Sequence, residues 1–501
     1  MTTTDPLLDG LNPQQQKAVA HAGSPLLVVA GAGSGKTRVL TRRIAYIMAR
    51  REVRPYEILA ITFTNKAAGE MKERVTELVG PVAKSMWVST FHSSCVRMLR
   101  QEVERLGYSS TFSIYDSADS QKLISRVMET LNIDSKRYPP RQFQNLISNA
   151  KNELQTPYEY LSHATNQFET IVADVYTLYE KRLQQANAMD FDDLIMKTVQ
   201  VLQKFPEAKA RFRSRFRHIL VDEYQDTNHA QYQLVKELTG VEGDGFPLAE
   251  LCVVGDADQS IYGFRGATIR NILQFELDYP NATTVLLEQN YRSTEVILQA
   301  ASAVIANNRN RKEKALWTDQ KGGDKIRYFR GADELDEAEY ITKVARAAIH
   351  DDARSLTAVL YRTNAQSRVL EHQLFTAGIP YRVYGGLRFF ERAEVKHALA
   401  YLRLLENAND DTSFLRVVNF PARGIGAVTV DKIAPFETES GGFLPACHLA
   451  LERGALKGAG AAKVKAFADL MDDFRQRASE TPYPQLTSEL IEEIGYGPQL
   501  R

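Results

Sequence analysis

The sequence has few cysteines, no long apolar run and no basic segment followed by an apolar one at its start, and each shortage argues against a class of protein. The three cysteines, Cys95, Cys252 and Cys447, lie far apart and form no CxxC pair, which argues against a disulfide scaffold and against a zinc site. No apolar run approaches the roughly 20 residues that span a bilayer, and no basic N-terminal segment precedes an apolar one. We therefore expect a cytoplasmic protein without a membrane partner.

Net charge is also lacking, because 62 Lys and Arg residues balance 62 Asp and Glu residues. A broad basic surface is thereby excluded, so any contact with nucleic acid has to come from a local patch. Apolar residues, in contrast, make up 44% of the 501 residues. That is enough for two or three domains with buried cores.

Six short apolar runs within the first 290 residues end abruptly in polar residues. They are LLVVAGAGSGKT, ILAITFTN, MWVSTFHS, HILVDEYQD, LCVVGDADQS and VLLEQN. Such runs are typical of buried strands in a parallel sheet, whose ligands bind beyond the carboxyl ends of the strands. From about Phe91 to Arg217 no comparable run occurs, and the periodicity of QKLISRVMETL and FETIVADVYTLYEKRLQQA predicts a helical insertion.

The segment AGAGSGKT has the spacing of a phosphate-binding loop between a strand and a helix. It consists of Ala30, Gly31, Ala32, Gly33, Ser34, Gly35, Lys36 and Thr37. The glycines allow backbone amides to surround phosphates, Lys36 reaches the β- and γ-phosphates, and Thr37 ligates Mg²⁺. An ordinary glycine turn is the weaker alternative, because strand, loop, Lys-Thr pair and helix all agree.

Two adjacent carboxylates, Asp222 and Glu223, follow the strand HILV. Asp222 is suited to hold the Mg²⁺ that bridges the phosphates, and Glu223 to orient and deprotonate the attacking water. A lone Asp-Glu pair is more often a solvated turn. After a phosphate-binding loop and a buried strand, it becomes the candidate catalytic pair.

Three further residues at strand ends complete a candidate ATP site. Gln259, a neutral amide, can sense a γ-phosphate without competing for the metal. Arg292, presented from the next domain, can stabilise charge on the transferring phosphoryl group, and Tyr291 can stack on a base. Taken singly, Arg292 is more often part of a surface salt bridge and Tyr291 a core aromatic.

The motifs occur in a fixed order from residue 11 to about residue 405. They are LNPQQQKAV, AGAGSGKT, TFTNKAAGEM, STFHS, VDEYQDTN, VVGDADQSIYGFRGA, LEQNYRST, LYRTNAQSRVLE and YGGLRFFERAEVKHALAYLRLL. As a set they resemble the UvrD/Rep/PcrA family of superfamily 1 DNA helicases. The resemblance implies an ATP- and Mg²⁺-dependent 3′–5′ helicase that translocates on single-stranded DNA in repair or replication. It also implies single-strand/duplex junctions and repair proteins as partners.

The resemblance further implies an α/β fold of two RecA-like parallel-sheet cores, each with a helical insertion. On this basis residues 1–92 and 216–284 are predicted to form the first core around an insertion at 93–215. Residues 285–386 are predicted to form an incomplete second core, with strands at KIRYFRG, LTAVLYRTNAQS and IPYRVYGG around a helix at SRVLEHQLFTAG. Residues 387–501 are predicted to form a truncated second helical insertion.

The resemblance also assigns residues that contact the nucleotide base and the DNA. Gln15 matches the glutamine that reads adenine, while Arg38 and Tyr291 match positions that flank it. The DNA track is matched by Phe63, Thr64, Asn65, Thr90, Phe91, His92, Tyr262, Phe264, Arg265, Arg362 and Asn364. The stretch ARGIGAVTVDKI, with Gly424 and Gly426, resembles a glycine hairpin that touches duplex backbone. Each aromatic, taken alone, is more often a packed core ring.

We find no match to two segments that the family carries later, of the kinds TxHxxKGLE and YVxxTRA, and we expect these late motifs to be missing. The second carries an arginine to the γ-phosphate in the family. We therefore expect a chain that corresponds to the N-terminal two-thirds of a helicase and hydrolyses ATP slowly. The alternatives are an ATP-gated module that binds single-stranded DNA or protein without unwinding, and, less favoured, an ATPase unrelated to DNA.

Overall fold

The computed structural model describes residues 5–240, 243–308, 311–312, 314–384 and 393–496, and the predicted motif segment at 385–392 lies outside these ranges. It contains eight strands: β1 Leu26–Ala30, β2 Ile58–Thr62, β3 Trp87–Thr90, β4 Ser113–Tyr115, β5 Ala188–Asp190, β6 His218–Val221, β7 Glu250–Gly255 and β8 Thr283–Leu287. Six of them form one parallel sheet in the order β3-β2-β6-β7-β1-β8. The predicted α/β class and all six predicted strands are confirmed.

The sheet is covered on both faces, which explains why its strands are apolar without alternation. The helices of this part are α1 Pro13–Ala20, α2 Lys36–Arg50, α3 Asn65–Val79, α4 Phe91–Glu102, α9 Phe191–Lys204, α11 His229–Thr239, α12 Arg270–Leu273 and α13 Phe275–Asp278. Leu26 and Val28 share a core cluster with α1, α2 and α3, whereas Leu27 and Val29 share one with α4, α9 and α11. Strand β8, residues 283–287, pairs with β1 in this sheet. The predicted boundary between the two cores, at residues 284 and 285, therefore falls inside this strand.

The chain between β3 and β6 is helical, as predicted, but it also contains strands that the sequence did not reveal. Its remaining helices are α5 Ser117–Thr130, α6 Pro140–Asn152, α7 Pro157–Ser162, α8 Gln167–Gln185 and α10 Pro206–Arg215. Strands β4 and β5 pair in parallel, which corrects the expectation that this stretch lacks strands. Each of these strands has only three residues, which is too few to produce a detectable alternation of apolar and polar residues. The sequence therefore could not reveal them.

Among the described residues after β8, the predicted strands are not formed. In the described part of 288–384 the only β pairing is an isolated bridge between Gln289 and Trp317, beside the helices α14 Glu295–Ile305, α15 Glu334–Asp351 and α16 Ser367–Thr376. A strand needs a neighbour about 4.8 Å away for its backbone hydrogen bonds. Tyr328, Leu356 and Leu360 are 88%, 99% and 93% exposed. These segments therefore have the amino-acid composition of strands, but no neighbouring strand pairs with them or covers their side chains. The predicted helix at SRVLEHQLFTAG is confirmed as α16.

The last part of the chain is a helical bundle with its own core. It consists of α17 Ala393–Glu406, α18 Asp411–Val417, α19 Ala427–Ser440, α20 Phe443–Glu452, α21 Gly458–Arg477 and α22 Tyr483–Glu493. The bundle contacts the first insertion through charged and polar groups: Arg403 and Arg416 pair with Asp119, and the Tyr115 hydroxyl donates to Asp410 at 2.9 Å. Among the described residues, no helix is both long and apolar enough to cross a membrane.

A buried ion cluster holds α6, α8 and α9 of the first insertion together. Lys151 has no exposed side-chain surface, and its Nζ lies 2.6 Å from Glu180, 2.7 Å from Asp190 and 3.0 Å from Asp193. Removing one partner of such a cluster leaves buried charge without compensation, which costs more than the cluster contributes when intact.

We predict that Lys151→Met lowers the free energy of unfolding by about 3–5 kcal/mol, because Glu180 and Asp193 then keep only Lys197 as a partner and Asp190 loses its lysine. Urea unfolding followed by far-ultraviolet circular dichroism measures this loss. Lys136→Met, at an exposed position, is the matched control and should change stability by less than about 0.5 kcal/mol. Equal effects of the two substitutions would contradict the prediction.

Candidate functional site

The loop from Ala30 to Thr37 connects β1 to α2 in the way that its glycines predict. Gly33 and Gly35 have φ angles of 68° and 89°, in the left-handed region that favours glycine, and Gly35 is the N-cap of α2. The Ser34 hydroxyl donates to the Gly31 carbonyl at 2.8 Å, which closes the turn. A glycine loop that opens the N-terminus of a 15-residue helix provides the amides and the dipole of an anion site.

Lys36 brings three of the predicted catalytic residues together. Its Nζ lies 2.8 Å from Glu223 Oε2 and 3.3 Å from Gln259 Oε1. These residues follow β1, β6 and β7, which are adjacent in the sheet, so their polar ends meet at one edge. The ammonium group balances the Glu223 carboxylate at the mouth of the loop.

The carboxylate pair after β6 is built from one buried and one strained residue. Asp222 is 7% exposed, and burial together with the neighbouring Glu223 charge raises its pKa to about 6. Glu223 has a φ of 50° and a ψ of 43°, which is rare for a residue with a long side chain and is typical of functional sites. Asp222 Oδ1 accepts the Glu223 backbone amide at 3.0 Å, which fixes the direction of the pair.

Gln225 connects the ends of β6 and β7, a role that the sequence reasoning missed. Its Nε2 donates to Glu223 at 2.9 Å and to Asp226 at 3.1 Å, and its Oε1 accepts the Asp256 amide at 2.9 Å. The side chain is 1% exposed. The only sequence signal was its place within VDEYQD, between two carboxylates that need a donor.

A second missed group neutralises the carboxylates after β7. Lys314 pairs with Asp256 and lies 2.7 Å from Asp258, and Arg311 lies 3.2 Å from Asp258. Asp256 in turn accepts from Gln259 Nε2 at 2.6 Å. Lys314 therefore contacts Asp256, which orients Gln259, although 58 positions separate Lys314 from Asp256 in sequence, and no local pattern could have indicated this contact.

The residues predicted to flank a base lie on the other side of the loop. Gln15 is 1% exposed, and its Nε2 donates to the Ser34 carbonyl at 2.9 Å. The Tyr291 hydroxyl accepts from Asn12 Nδ2 at 2.9 Å and donates to Gln289 at 2.8 Å. Arg38 lies on α2, and its guanidinium is next to Gly10. Gln15 thus supports the loop backbone directly, and Tyr291 is half exposed beside it.

A groove of about 800 Å³ lies beyond the same sheet edge, between the sheet and the first insertion. Six of the residues predicted for the DNA track line it, namely Phe63, Thr90, Phe91, His92, Tyr262 and Phe264. Phe63 and Tyr262 stack with ring centroids 5.1 Å apart, and Tyr262 lies 6.1 Å from Phe264. Phe91 is 3% exposed and belongs to the core, so almost none of its ring surface is available for stacking in the groove.

The opposite wall of the groove is a polar face of α6 that the sequence reasoning missed. Its side chains recur at helical spacing and are Arg141, Asn145, Ser148, Asn149 and Asn152. Asn228 and Gln231 add two more amides, and Asp192 and Asp226 add carboxyl groups. Burial raises the pKa of the Asp192 carboxyl above its usual value. Burial is also the main reason why the pKa of Asp226 rises to about 6.

The other predicted DNA contacts lie elsewhere. Thr64 is the N-cap of α3, and Asn65 is the first residue of that helix. Arg362 and Asn364 lie at a short turn before α16, outside the groove lining. Gly424 and Gly426 precede α19, where Gly424 has a φ of 70° and lies against Lys463. Of the predicted set, Arg265 has a side chain outside the described part of the chain.

Fold and loop together define a P-loop α/β protein with a polar and aromatic groove beside its phosphate site. The sequence model of the UvrD/REP helicase N-terminal domain matches residues 11–280, and that of the UvrD-like helicase C-terminal domain matches residues 285–444. The chain therefore belongs to the UvrD/REP helicase family.

Relatives in three bacteria agree with this assignment. The chain is 52% identical over 506 residues to "ATP-dependent DNA helicase UvrD1" of Mycobacterium tuberculosis, and 47% identical over 498 residues to "ATP-dependent DNA helicase PcrA" of Bacillus subtilis. Each comparison covers 99% of this chain and 66% of the relative. A PcrA of Staphylococcus aureus is 49% identical over 435 residues, which is 87% of this chain and 59% of the relative. The chain thus spans about two thirds of the length of these relatives.

The match to the C-terminal domain model corrects one expectation. Residues 285–444 carry C-terminal-domain sequence, which counts against the expectation that the family's late motifs are missing. Slow hydrolysis, which was expected on that ground, therefore no longer follows.

The raised pKa of Asp222 makes the site costly to fold. A carboxyl whose pKa rises from near 4 to about 6 on folding destabilises the folded state above pH 6, and this cost disappears as the pH falls below about 4. We predict that Asp222→Asn stabilises the chain at pH 8 by up to roughly 3 kcal/mol and changes little at pH 4.

Urea unfolding at the two pH values, followed by tryptophan fluorescence, measures this difference, because Trp87 is buried in the same sheet. Asp9→Asn, at an exposed position, is the matched control and should leave stability unchanged at both. An Asp222→Asn chain that is no more stable than the unaltered one at pH 8 would refute the account.

Proposed function

We propose that the chain is an ATP-dependent DNA helicase motor that moves 3′ to 5′ on single-stranded DNA in repair or replication. The observation that carries this proposal is that two short turns serve both the phosphate site and the groove. The turn after β6 supplies Glu223 to Lys36 and Asp226 to the groove. The turn after β7 supplies Gln259 to Lys36 and Tyr262 to the groove. A change at the phosphates therefore reaches the groove within a few residues.

The residues at the loop fit ATP with Mg²⁺. The Thr37 hydroxyl and the Asp222 carboxylate are hard oxygen donors of the kind that Mg²⁺ prefers, and they would hold the ion. An ion held by these two residues would neutralise phosphate charge. Lys36 has to exchange the Glu223 carboxylate for phosphate oxygens when ATP enters, and this frees Glu223 to take a proton from the attacking water.

The remaining nucleotide contacts follow from position. Gln259 already faces Lys36 at 3.3 Å, so its amide is placed to contact a γ-phosphate. Arg292 is exposed beside Gly33 and is placed to stabilise charge on the transferring group. Gln15, Arg38 and Tyr291 form the side on which adenine would lie, with the Tyr291 ring available for stacking.

The groove fits single-stranded DNA because it combines ring faces with amides. Stacking on Phe63, Tyr262 and Phe264 holds bases of any sequence, and the amides of α6 donate to and accept from base edges and phosphates. Thr64, Asn65, Arg265, Arg362 and Asn364 extend the proposed track along the strand. Gly424 and Gly426, at the start of a 14-residue helix, are proposed to contact duplex backbone at a junction, where repair proteins are further partners.

We predict that Glu223→Gln keeps nucleotide binding and lowers the rate of ATP hydrolysis about 10²–10⁴-fold, because the general base is lost. Nucleotide affinity stays equal or rises, since Lys36 no longer has a carboxylate partner. The measurements are the steady-state hydrolysis rate with single-stranded oligonucleotide and the Kd of a fluorescent ATP analogue. Glu73→Gln, at an exposed position, is the matched control, and unchanged hydrolysis by Glu223→Gln would refute the assigned role.

Strand separation distinguishes the motor from the ATP-gated binding module. The unaltered chain is given labelled duplexes that carry either a 3′ or a 5′ single-stranded tail. A motor of the proposed polarity separates the first and not the second, and Glu223→Gln separates neither. A module that binds without moving retains both duplexes intact, with ATP changing only its affinity for them.

We predict that Phe264→Ala lowers affinity for single-stranded oligonucleotide by about 1–3 kcal/mol, because one stacking face is removed. The Kd of the ATP analogue in the absence of DNA should not change, since Phe264 lines only the groove. Fluorescence anisotropy with a labelled oligothymidine measures the first, and titration with a fluorescent ATP analogue measures the second. Phe375→Ala, which removes an equally exposed ring from α16, is the matched control, and equal losses from the two substitutions would argue against DNA in this groove.

A further inference from the structure

Asn290, just after β8, contacts both the phosphate loop and the backbone that carries Arg292. Its Nδ2 donates to the Ala32 carbonyl at 2.6 Å. Its Oδ1 accepts the backbone amides of Arg292 at 2.8 Å and Ser293 at 2.7 Å. The residue is 2% exposed, so one buried amide group is bonded to the loop and to the arginine segment at the same time.

The contacts around Asn290 leave little room for independent movement. The Tyr291 amide donates to the Gly33 carbonyl at 3.0 Å. A Cβ at Gly33 would lie 2.6 Å from Asn290 Nδ2 and 2.8 Å from Arg292 Cβ. The Asn290 backbone is itself held, because its amide donates to the Trp317 carbonyl at 2.8 Å. A shift of the loop at Ala32 and Gly33 therefore displaces the segment that carries Arg292.

We propose that Asn290 is a positioning residue that couples the conformation of the phosphate loop to the placement of Arg292 at the γ-phosphate. This inference rests on the proposed nucleotide site. The amide suits this position, because its nitrogen donates to Ala32 while its oxygen accepts from Arg292. An aspartate would keep the turn around Arg292, lose the donor and place a negative charge against the Ala32 carbonyl oxygen.

The test is a double-mutant cycle on the full 501-residue chain with Asn290→Asp and Arg292→Ala. The readout is γ-phosphate discrimination, measured as the Kd for ADP divided by the Kd for ATPγS. We expect Asn290→Asp to lower this ratio about tenfold when Arg292 is present, a loss of the size of one charge-assisted hydrogen bond. In the Arg292→Ala chain the same substitution should change the ratio less than about twofold.

The control is Asn307→Asp, the same change at an exposed position, which should leave the ratio unaltered in both backgrounds. An equal loss in both backgrounds, or no loss in either, overturns the positioning role. If the Asn290→Asp chain fails to fold, as judged by circular dichroism, Asn290→Ser replaces it in the same cycle. The serine hydroxyl is too short to reach the Ala32 carbonyl, so this variant also loses the hydrogen bond to the loop. If the unaltered chain bound neither nucleotide, the proposed function would fail together with this inference, whereas binding with additive effects overturns the inference alone.

Discussion

The parallel alignment of the six-stranded sheet is the constraint on which the sites depend. Because β6 and β7 are neighbours and β1 lies next to β7, their carboxyl ends bring Glu223 and Gln259 within 2.8 Å and 3.3 Å of Lys36 Nζ. Both faces of the sheet are buried under helices, so charged groups reach solvent only where the strands end. The same alignment places the groove beyond that edge, since residues after β2 and β3 line it.

Polar contacts over long sequence distances then hold the strand ends in place. Gln225 bonds the turns after β6 and β7 to each other, and Lys314 neutralises Asp256, which in turn accepts from Gln259. The left-handed conformation of Glu223 persists because its amide and its carboxylate are both bonded, which offsets the strain. A site built in this way sacrifices stability, as the raised pKa of Asp222 shows, to keep ionisable groups close together.

The sequence predicted the parts of the fold that local patterns determine. All six strands of the sheet, the helical insertion and the phosphate loop were predicted, since each is a run of apolar residues followed by polar ones or a helical repeat. The strands β4 and β5 are too short to predict, and the segments around Tyr328 and Leu360 resemble strands but have no partner. Gln225, Lys314 and Asn290 were missed because an amide or a buried lysine shows its role only through distant partners.

The groove also explains how a chain without net charge can be proposed to bind DNA. Arg141 is the one cation among the lining residues whose side chains are described, and Asp192 and Asp226 lie in the same groove. A phosphate-dominated contact needs several lysines or arginines, whereas this lining offers aromatic faces on one side and amides on the other. Because stacking is indifferent to sequence and an amide both donates and accepts, such a groove suits a strand that has to slide through it. Balanced charge then excludes only a broad electrostatic surface and leaves a narrow track of rings and amides.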